Sequence, residues 1–480
     1  MSPTRREILT AGAAAGAALA VPLLSGGARA AGRPNVLVII VDTLRADHVF
    51  GDRARTPNID ALARAGLSFT QVVPEGLPTV PVRNAILSGR RTFPFRGWHD
   101  QRGLLASPGW SALRDPATTW TSALQSAGYW TAYVTDNPFV GFSQPYEPLR
   151  RSFDLFIRRG GQIGGSARGL PSSVLGRWLH PSIRDPKAVD RLRRYLANGG
   201  HAPDESKSFP ARVFRSAVTA LERGARRPPF ALLVDTFAPH EPWTPPRRYL
   251  ELYGDPGWRG PEPATLRYGR VRNWLREDQA GPVLERLRAL YAAEVTMTDR
   301  WLGVLLERLH ELGLERETVM VLVADHGIFL GERGWTGKIS IALHPELTRV
   351  PMVVVDPGRR RAGGRTPYRA STHDIGRTVL SMTGVGPPRD MEGADLSALF
   401  RGRQPPARGF TYGGYANSHY LREDRWTFFA DNRLRRPQLF DRRSDAGETR
   451  NVADRHPDVV RELHRKVVER AGGRLPCYPK

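Results

Sequence analysis

The chain has 480 residues, 40% hydrophobic and 25% charged, which is ordinary for a globular protein, argues against disorder as the default and allows one large core with a smaller appendage. A formal charge of +23 favours an anionic substrate or surface, although an Arg-rich exterior that merely solvates the fold gives the same sign. The single cysteine, Cys477, excludes an intrachain disulfide, a cysteine-based zinc site and an iron–sulfur cluster.

Residues 1–30 read as an export leader. Thr4-Arg5-Arg6-Glu7-Ile8-Leu9 precedes a small-residue apolar run, Ala11 to Leu24, and then Ala28-Arg29-Ala30, which fits an A-x-A cleavage site. The run is short for a membrane span, which needs about 20 apolar residues. The expectation is cleavage after Ala30, the twin-arginine machinery as an export partner, and a periplasmic or extracellular location.

From Pro34 onward, apolar runs alternate with helical patterns. Asn35 to Val41 reads as a buried strand, Asn58 to Ala65 as a helix and Leu67 to Val73 as the next strand. Further apolar runs lie at Tyr129 to Thr135, Phe230 to Asp235, Val319 to Ala324 and Val350 to Val355. Uniformly apolar strands separated by helices predict an α/β fold with a mainly parallel sheet sandwiched by helices. Leu284 to Leu312 carries the longest helical pattern, stopped by Gly313, and reads as core packing. Two stretches break the alternation. Residues 150–208 are rich in Gly, Pro and Arg and read as a basic insertion, and Pro246 to Pro282 is a second irregular segment. After about Gln404 the pattern turns to short strands at Phe410–Tyr412, Trp426–Ala430 and Gln438–Asp441, followed by an amphipathic helix from His456 to Ala471. The predicted organisation is a catalytic α/β domain over 31–403 and a smaller C-terminal α+β subdomain over 404–480, an antiparallel sheet with a helix.

Ligands of an open parallel sheet collect at the carboxyl ends of its strands. Asp42 follows Val36–Val41, and Asp325-His326 follows Val319–Ala324. Two carboxylates and an imidazole there can hold one divalent ion; the oxygen-rich set suits calcium, magnesium or manganese, with zinc also open.

The ordered motifs resemble those of the sulfatases, in the alkaline-phosphatase superfamily. Val41-Asp42-Thr43-Leu44-Arg45-Ala46-Asp47-His48 and Thr56-Pro57-Asn58-Ile59-Asp60-Ala61-Leu62-Ala63 are similar to the family's opening. Thr79-Val80-Pro81-Val82-Arg83, with Leu87-Ser88-Gly89-Arg90 behind it, resembles the C-x-P-x-R segment and its helix. Pro239-His240-Glu241-Pro242-Trp243 resembles the substrate-side histidine loop, and Ala324 to Lys338 the segment carrying Asp-His-Gly and a later lysine. Thr348-Arg349-Val350-Pro351 and the tail from Leu439 to Ala453 continue the likeness over nearly the whole chain.

That resemblance implies a hydrolase of anionic esters in which Asp42, Asp325 and His326 are metal ligands. Thr79 becomes the nucleophile and a further ligand, Arg83 holds its oxygen, and Lys338 and His240 bind the nonbridging oxygens of the ester. His344 stands where another substrate-side group is expected. Polymeric or surface-bound anionic substrates match the charge, and no specific nucleic acid is expected as a partner.

The chain departs from the pattern in two places. Sulfatases of the family oxidise Cys or Ser to formylglycine, and Thr79 cannot yield that aldehyde because its β-carbon bears a methyl group. Threonine nucleophiles occur elsewhere in the superfamily, in nucleotide pyrophosphatase/phosphodiesterases and lipoteichoic-acid synthases, which act at phosphorus. Thr43 occupies a position where many sulfatases have a second Asp. The expectation is therefore a single-metal enzyme favouring phosphodiester or phosphonate esters over sulfate esters. Its alternatives are a sulfatase acting without formylglycine and an inactive binder of anionic polymers.

Overall fold

The computed structural model describes residues 32–201 and 204–479, so the expected export leader lies outside the described residues. Eight strands form the main sheet in the order Gly364–Ser371, Leu67–Val73, Val350–Val355, Thr318–Ala324, Asn35–Val41, Phe230–Thr236, Trp130–Thr135 and Leu155–Arg158. All neighbours pair in parallel except around Val350–Val355, which runs antiparallel to both of its partners. Every residue of Asn35–Val41, Phe230–Thr236, Thr318–Ala324 and Val350–Val355 is buried. Side chains alternate between faces along a strand, so complete burial means that both faces are covered.

Register decides where the chemistry sits. Val41 pairs with Ala324 on one side and with Thr236 on the other, while Ile40 pairs with Asp235. Asp42, Asp235 and Asp325 therefore emerge side by side at the carboxyl edge of three adjacent central strands.

The two strands that the apolar pattern does not reveal are the sheet's edges. Gly364–Ser371 contains Pro367 and exposed positions, and its pairing with Leu67–Val73 shifts register between Thr366 and Arg369, as an edge strand tolerates. Leu155–Arg158 is only half-buried. It lies near the start of the predicted insertion, which carries helices Ser172–Trp178 and Pro186–Tyr195. Leu192, Tyr195 and Leu196 anchor that segment in the main core. The longest helix runs from Glu277 to Glu311 and takes in the end of the stretch expected to be irregular; Glu277 and Asp278 suit its first turn, where the helix dipole favours negative charge.

The C-terminal sheet has the order Gln438–Asp441, Trp426–Asp431, Ser418–Arg422, Thr411–Tyr415, Gly76–Leu77. Its last member comes from far earlier in the chain, pairs in parallel with Gly414 and Tyr415, and is separated from Thr79 by Pro78 alone. Helix Pro457–Arg470 closes this sheet by burying Val460, Leu463 and Val467 with Phe428 and Leu439. None of the described helices is long and apolar enough to cross a membrane.

Candidate active site

Asp42, Asp325 and His326 are buried, and one ligand atom from each lies within 4.8 Å of the others. Thr79, the first residue of helix Thr79–Ser88, brings its Oγ1 to 3.3 Å from His326 Nε2. A helix amino terminus suits a group that must carry or approach negative charge. His326 Nδ1 lies 3.0 Å from the Gly327 carbonyl oxygen. Donation there leaves the Nε2 lone pair facing Thr79 and the carboxylates, the tautomer a metal ligand requires. Burial pushes His326 down to about 4, with Lys338 adding to the effect and Asp325 opposing it.

Arg83 is completely buried and gathers the strand ends. Its Nη1 donates to Asp325 Oδ2 at 2.6 Å, and its Nε and Nη2 donate to the Asp235 carboxylate at 2.9 and 2.7 Å. Nη2 also lies 3.0 Å from Asp42 Oδ2, yet that oxygen has no aligned hydrogen bond. Burial opposes the guanidinium's charge, but Asp235, Asp325 and Asp42 outweigh it and hold its pKa well above the usual arginine value. Burial and the neighbouring Asp325 raise the Asp42 carboxyl well above its ordinary range. For Asp325 burial is overcome by His326 and Arg83, which hold it low. Asp42 and Asp325, with a buried oxygen lacking a partner and the correctly turned imidazole of His326, form a donor set that fits a divalent cation.

Arg83 reaches Thr79 through the backbone: its Nη1 donates to the Thr79 carbonyl oxygen at 3.2 Å. Thr43 adopts φ 62°, a left-handed conformation rare for a β-branched residue. Its N–H donates to Asp325 Oδ1 at 2.9 Å, its hydroxyl donates to Asp42 Oδ1 at 2.5 Å, and its carbonyl oxygen accepts from the Tyr291 hydroxyl at 2.8 Å. At this position Thr43 orients the two carboxylates.

Lys338 and His240 form a second pair, with Lys338 Nζ donating to His240 Nε2 at 2.7 Å. The His240 ring stacks on Phe237 at 4.1 Å between centroids, and its Nδ1 lies 2.7 Å from the Glu241 carbonyl oxygen. Burial brings His240 down to about 3, Glu241 opposing and Lys338 reinforcing the shift, so the imidazole is neutral and accepts from the ammonium. Lys338 is delivered by the short strand Trp335–Gly337, whose Thr336 pairs with Gly269 beside Tyr268. Gly337 has φ 84°, and a β-carbon there would meet the Tyr268 ring at 2.5 Å.

His344 goes elsewhere. Its ring packs against Phe329 and, from the C-terminal sheet, Phe429 and Phe440 at 4.8 and 5.2 Å, and its Nδ1 is buried without a partner. None of its hydrogen bonds involves Asp42, Thr79, His240 or Lys338. Asp235 was not among the expected site residues, although it closes the apolar run Phe230–Asp235 as an acid at a strand's carboxyl end. Glu241 lies inside the histidine-loop motif but had no expected role, whereas Tyr268 and Arg191, which meet its carboxylate, come from separate parts of the chain and gave no local signal.

The sulfatase family model matches residues 34–385, and the model of the C-terminal part of N-sulphoglucosamine sulphohydrolase matches residues 331–472. An arylsulfatase of Clostridium perfringens is 23% identical, the match covering 93% of this chain and 96% of that protein. A multifunctional alkaline phosphatase superfamily protein of Trinickia caryophylli is 26% identical over 76% of each chain. Among solved structures, the phosphonate monoester hydrolase of Agrobacterium radiobacter superposes with a TM-score of 0.66 at 20% identity, over 91% of this chain and 95% of that one.

Proposed function

The chain belongs to the sulfatase family of ester hydrolases, and from that premise we propose that Thr79 is its nucleophile and that it cleaves phosphodiester or phosphonate esters in preference to sulfate esters. The observation that carries this reading is the Thr79 hydroxyl, 3.3 Å from His326 Nε2 at a helix amino terminus beside Asp42 and Asp325.

A divalent cation held by Asp42, Asp325 and His326 would lower the pKa of a hydroxyl beside it and offset charge on the ester's peripheral oxygens. Lys338 supplies a second positive charge for those oxygens, where displacement at phosphorus or sulfur accumulates charge. Attack by Thr79 Oγ1 forms a bond to phosphorus and releases the ester alcohol. Threonine has one oxygen on its β-carbon, so the transferred group leaves only by a second displacement, in which water attacks phosphorus and restores the hydroxyl. The proton that Thr79 gives up balances the one the leaving oxygen takes. His240 is neutral and already accepts from Lys338, which favours the ammonium as the group bearing a proton toward that oxygen.

Relatives named as arylsulfatases support a second reading, sulfate ester hydrolysis without formylglycine. Export by the twin-arginine route, read from Arg5, Arg6 and Ala28-Arg29-Ala30, belongs to the same proposal.

The test is a panel of matched aryl sulfate, phosphate monoester, phosphodiester and phosphonate monoester substrates with several divalent metals. The phosphodiester or phosphonate is expected to show the highest kcat/KM. Thr79→Ala should lose about a thousandfold or more, as expected for a nucleophile, while Thr79→Ser keeps part of the activity. A preference for the aryl sulfate, or normal turnover by Thr79→Ala, overturns the reading.

A further inference from the structure

The loop that carries His240 continues into Glu241, a carboxylate with no solvent exposure. The Tyr268 hydroxyl donates to its Oε1 at 2.6 Å, and Arg191 Nη2 stands 3.7 Å from the same oxygen. Its Oε2 lies 3.3 Å from His240 Nδ1 and has no hydrogen-bond partner. The Tyr268 ring links the cations, with the Lys338 ammonium 5.3 Å and the Arg191 guanidinium 5.7 Å from its centroid. Arg191 belongs to helix Pro186–Tyr195, so the basic insertion reaches this site through it.

We infer that Glu241 is a positioning residue of the site, clamped by Tyr268 and Arg191 so that the His240–Lys338 pair meets the ester as one aligned unit with one positive charge. The inference rests on the assignment of that pair to the ester's oxygens. Two cations and a neutral imidazole share one buried carboxylate. Burial alone would raise the Glu241 carboxyl, but His240, Lys338 and Arg191, with the Tyr268 hydrogen bond, bring it down to about 2, so it is ionised at working pH. Remove that charge, and Lys338 and Arg191 face one ring without compensation. Lys338 is tied to His240 by a single hydrogen bond and is the cation that yields, by leaving His240.

This makes an unusual prediction of sign. Deleting a negative charge near an anion site ordinarily tightens anion binding; here it weakens it. The measurement is a double-mutant cycle with Glu241→Gln and Arg191→Met in the metal-loaded protein, read by kcat and KM on the best ester and by calorimetric binding of inorganic phosphate. Glu241→Gln is expected to lose about 10- to 100-fold in kcat/KM, mostly in kcat, and to bind phosphate at least about threefold more weakly. The double variant should recover at least about threefold over Glu241→Gln in both readouts, because the uncompensated arginine is gone. Tyr268→Phe, which removes the clamp and keeps the carboxylate, should shift phosphate binding in the same direction by less, and serves if Glu241→Gln fails to fold. Unchanged or tighter phosphate binding in both single variants at Glu241 and Tyr268, or a double variant no better than Glu241→Gln, overturns the inference. If no ester is turned over at all, the functional reading fails, while the phosphate cycle still decides the role of Glu241.

Discussion

At the scale of single residues the site is a problem of charge. Asp42, Asp235 and Asp325 converge on Arg83 inside the protein, and a cation bound there reduces the remaining negative charge. Asp325→Asn and His326→Ala should both lose the divalent ion, checked by elemental analysis after dialysis, and turnover should disappear with it, as it should in excess chelator. Asp235 accepts from Arg83, from the Tyr133 hydroxyl at 3.0 Å and from the Thr135 hydroxyl at 3.3 Å, and shares no hydrogen bond with Asp42, Asp325 or His326. Its role is to hold Arg83. Asp235→Asn leaves a buried guanidinium with one compensating charge fewer, which should cost about 3 kcal/mol of stability in urea unfolding. Its kcat/KM should fall about 10- to 100-fold with the metal retained. Full stability in that variant would place the anchoring of Arg83 elsewhere.

At the scale of elements, the position of Thr79 depends on a contact far away in sequence. Gly76–Leu77, just ahead of the helix that Thr79 opens, forms the last strand of the C-terminal sheet through Gly414 and Tyr415. Gly413 lies so close to this segment that a β-carbon on it would stand 2.2 Å from the Glu75 carbonyl oxygen. Backbone cannot yield as a flexible side chain can. Gly413→Ala should therefore destabilise the protein by about 2 kcal/mol or more, and because the strand it displaces leads to Thr79, it should lower kcat as well. Thermal melts and steady-state kinetics on one preparation check both; a stable variant with reduced kcat, or the reverse, would separate the two effects. Through the same contact the C-terminal sheet includes a strand from residues 76–77.

At the scale of the whole molecule, the buried histidines His344, His373 and His419 contribute to acid sensitivity. Burial is the first cause in each case: His344, beside Arg333 and Arg422, His373, beside Arg91, and His419, beside His464, are all held down to about 3. Their unfolded counterparts titrate near the ordinary histidine value of about 6.5. Between those values the unfolded chain binds protons that the folded chain refuses, so stability falls as pH falls, by up to about 1.4 kcal/mol per pH unit for each group. Buried Asp136 and Asp299, raised to about 7, and Glu294, raised to about 8, act with the opposite sign, so the histidine share is read by difference: His373→Gln and His419→Gln should each lose less melting temperature between pH 7 and pH 5 than the parent, and an unchanged loss in both would contradict the assignment. The net charge of +23 acts over a longer range. Binding to anionic polymers should weaken as salt rises, since exposed charges are screened over about 8 Å at physiological ionic strength, and an affinity indifferent to salt would return those arginines to simple solvation.

Local pattern was enough for whatever recurs along the chain: apolar runs closing on acids, and ordered motifs. Asp42, Asp325 and His326 were legible because a parallel sheet presents its carboxyl ends to ligands, and Asp235 obeyed the same rule unnoticed. The edge strands Leu155–Arg158 and Gly364–Ser371 were not, since strands without two covered faces need no continuous apolar run. Only the tertiary structure decided the partners. It put His344 among Phe329, Phe429 and Phe440, joined Gly76–Leu77 to the C-terminal sheet, and brought Arg191, Glu241 and Tyr268 around His240 and Lys338. The physical reason is that helices and strands are written in local periodicity, whereas the compensation of a buried charge depends on whichever distant side chains packing places beside it.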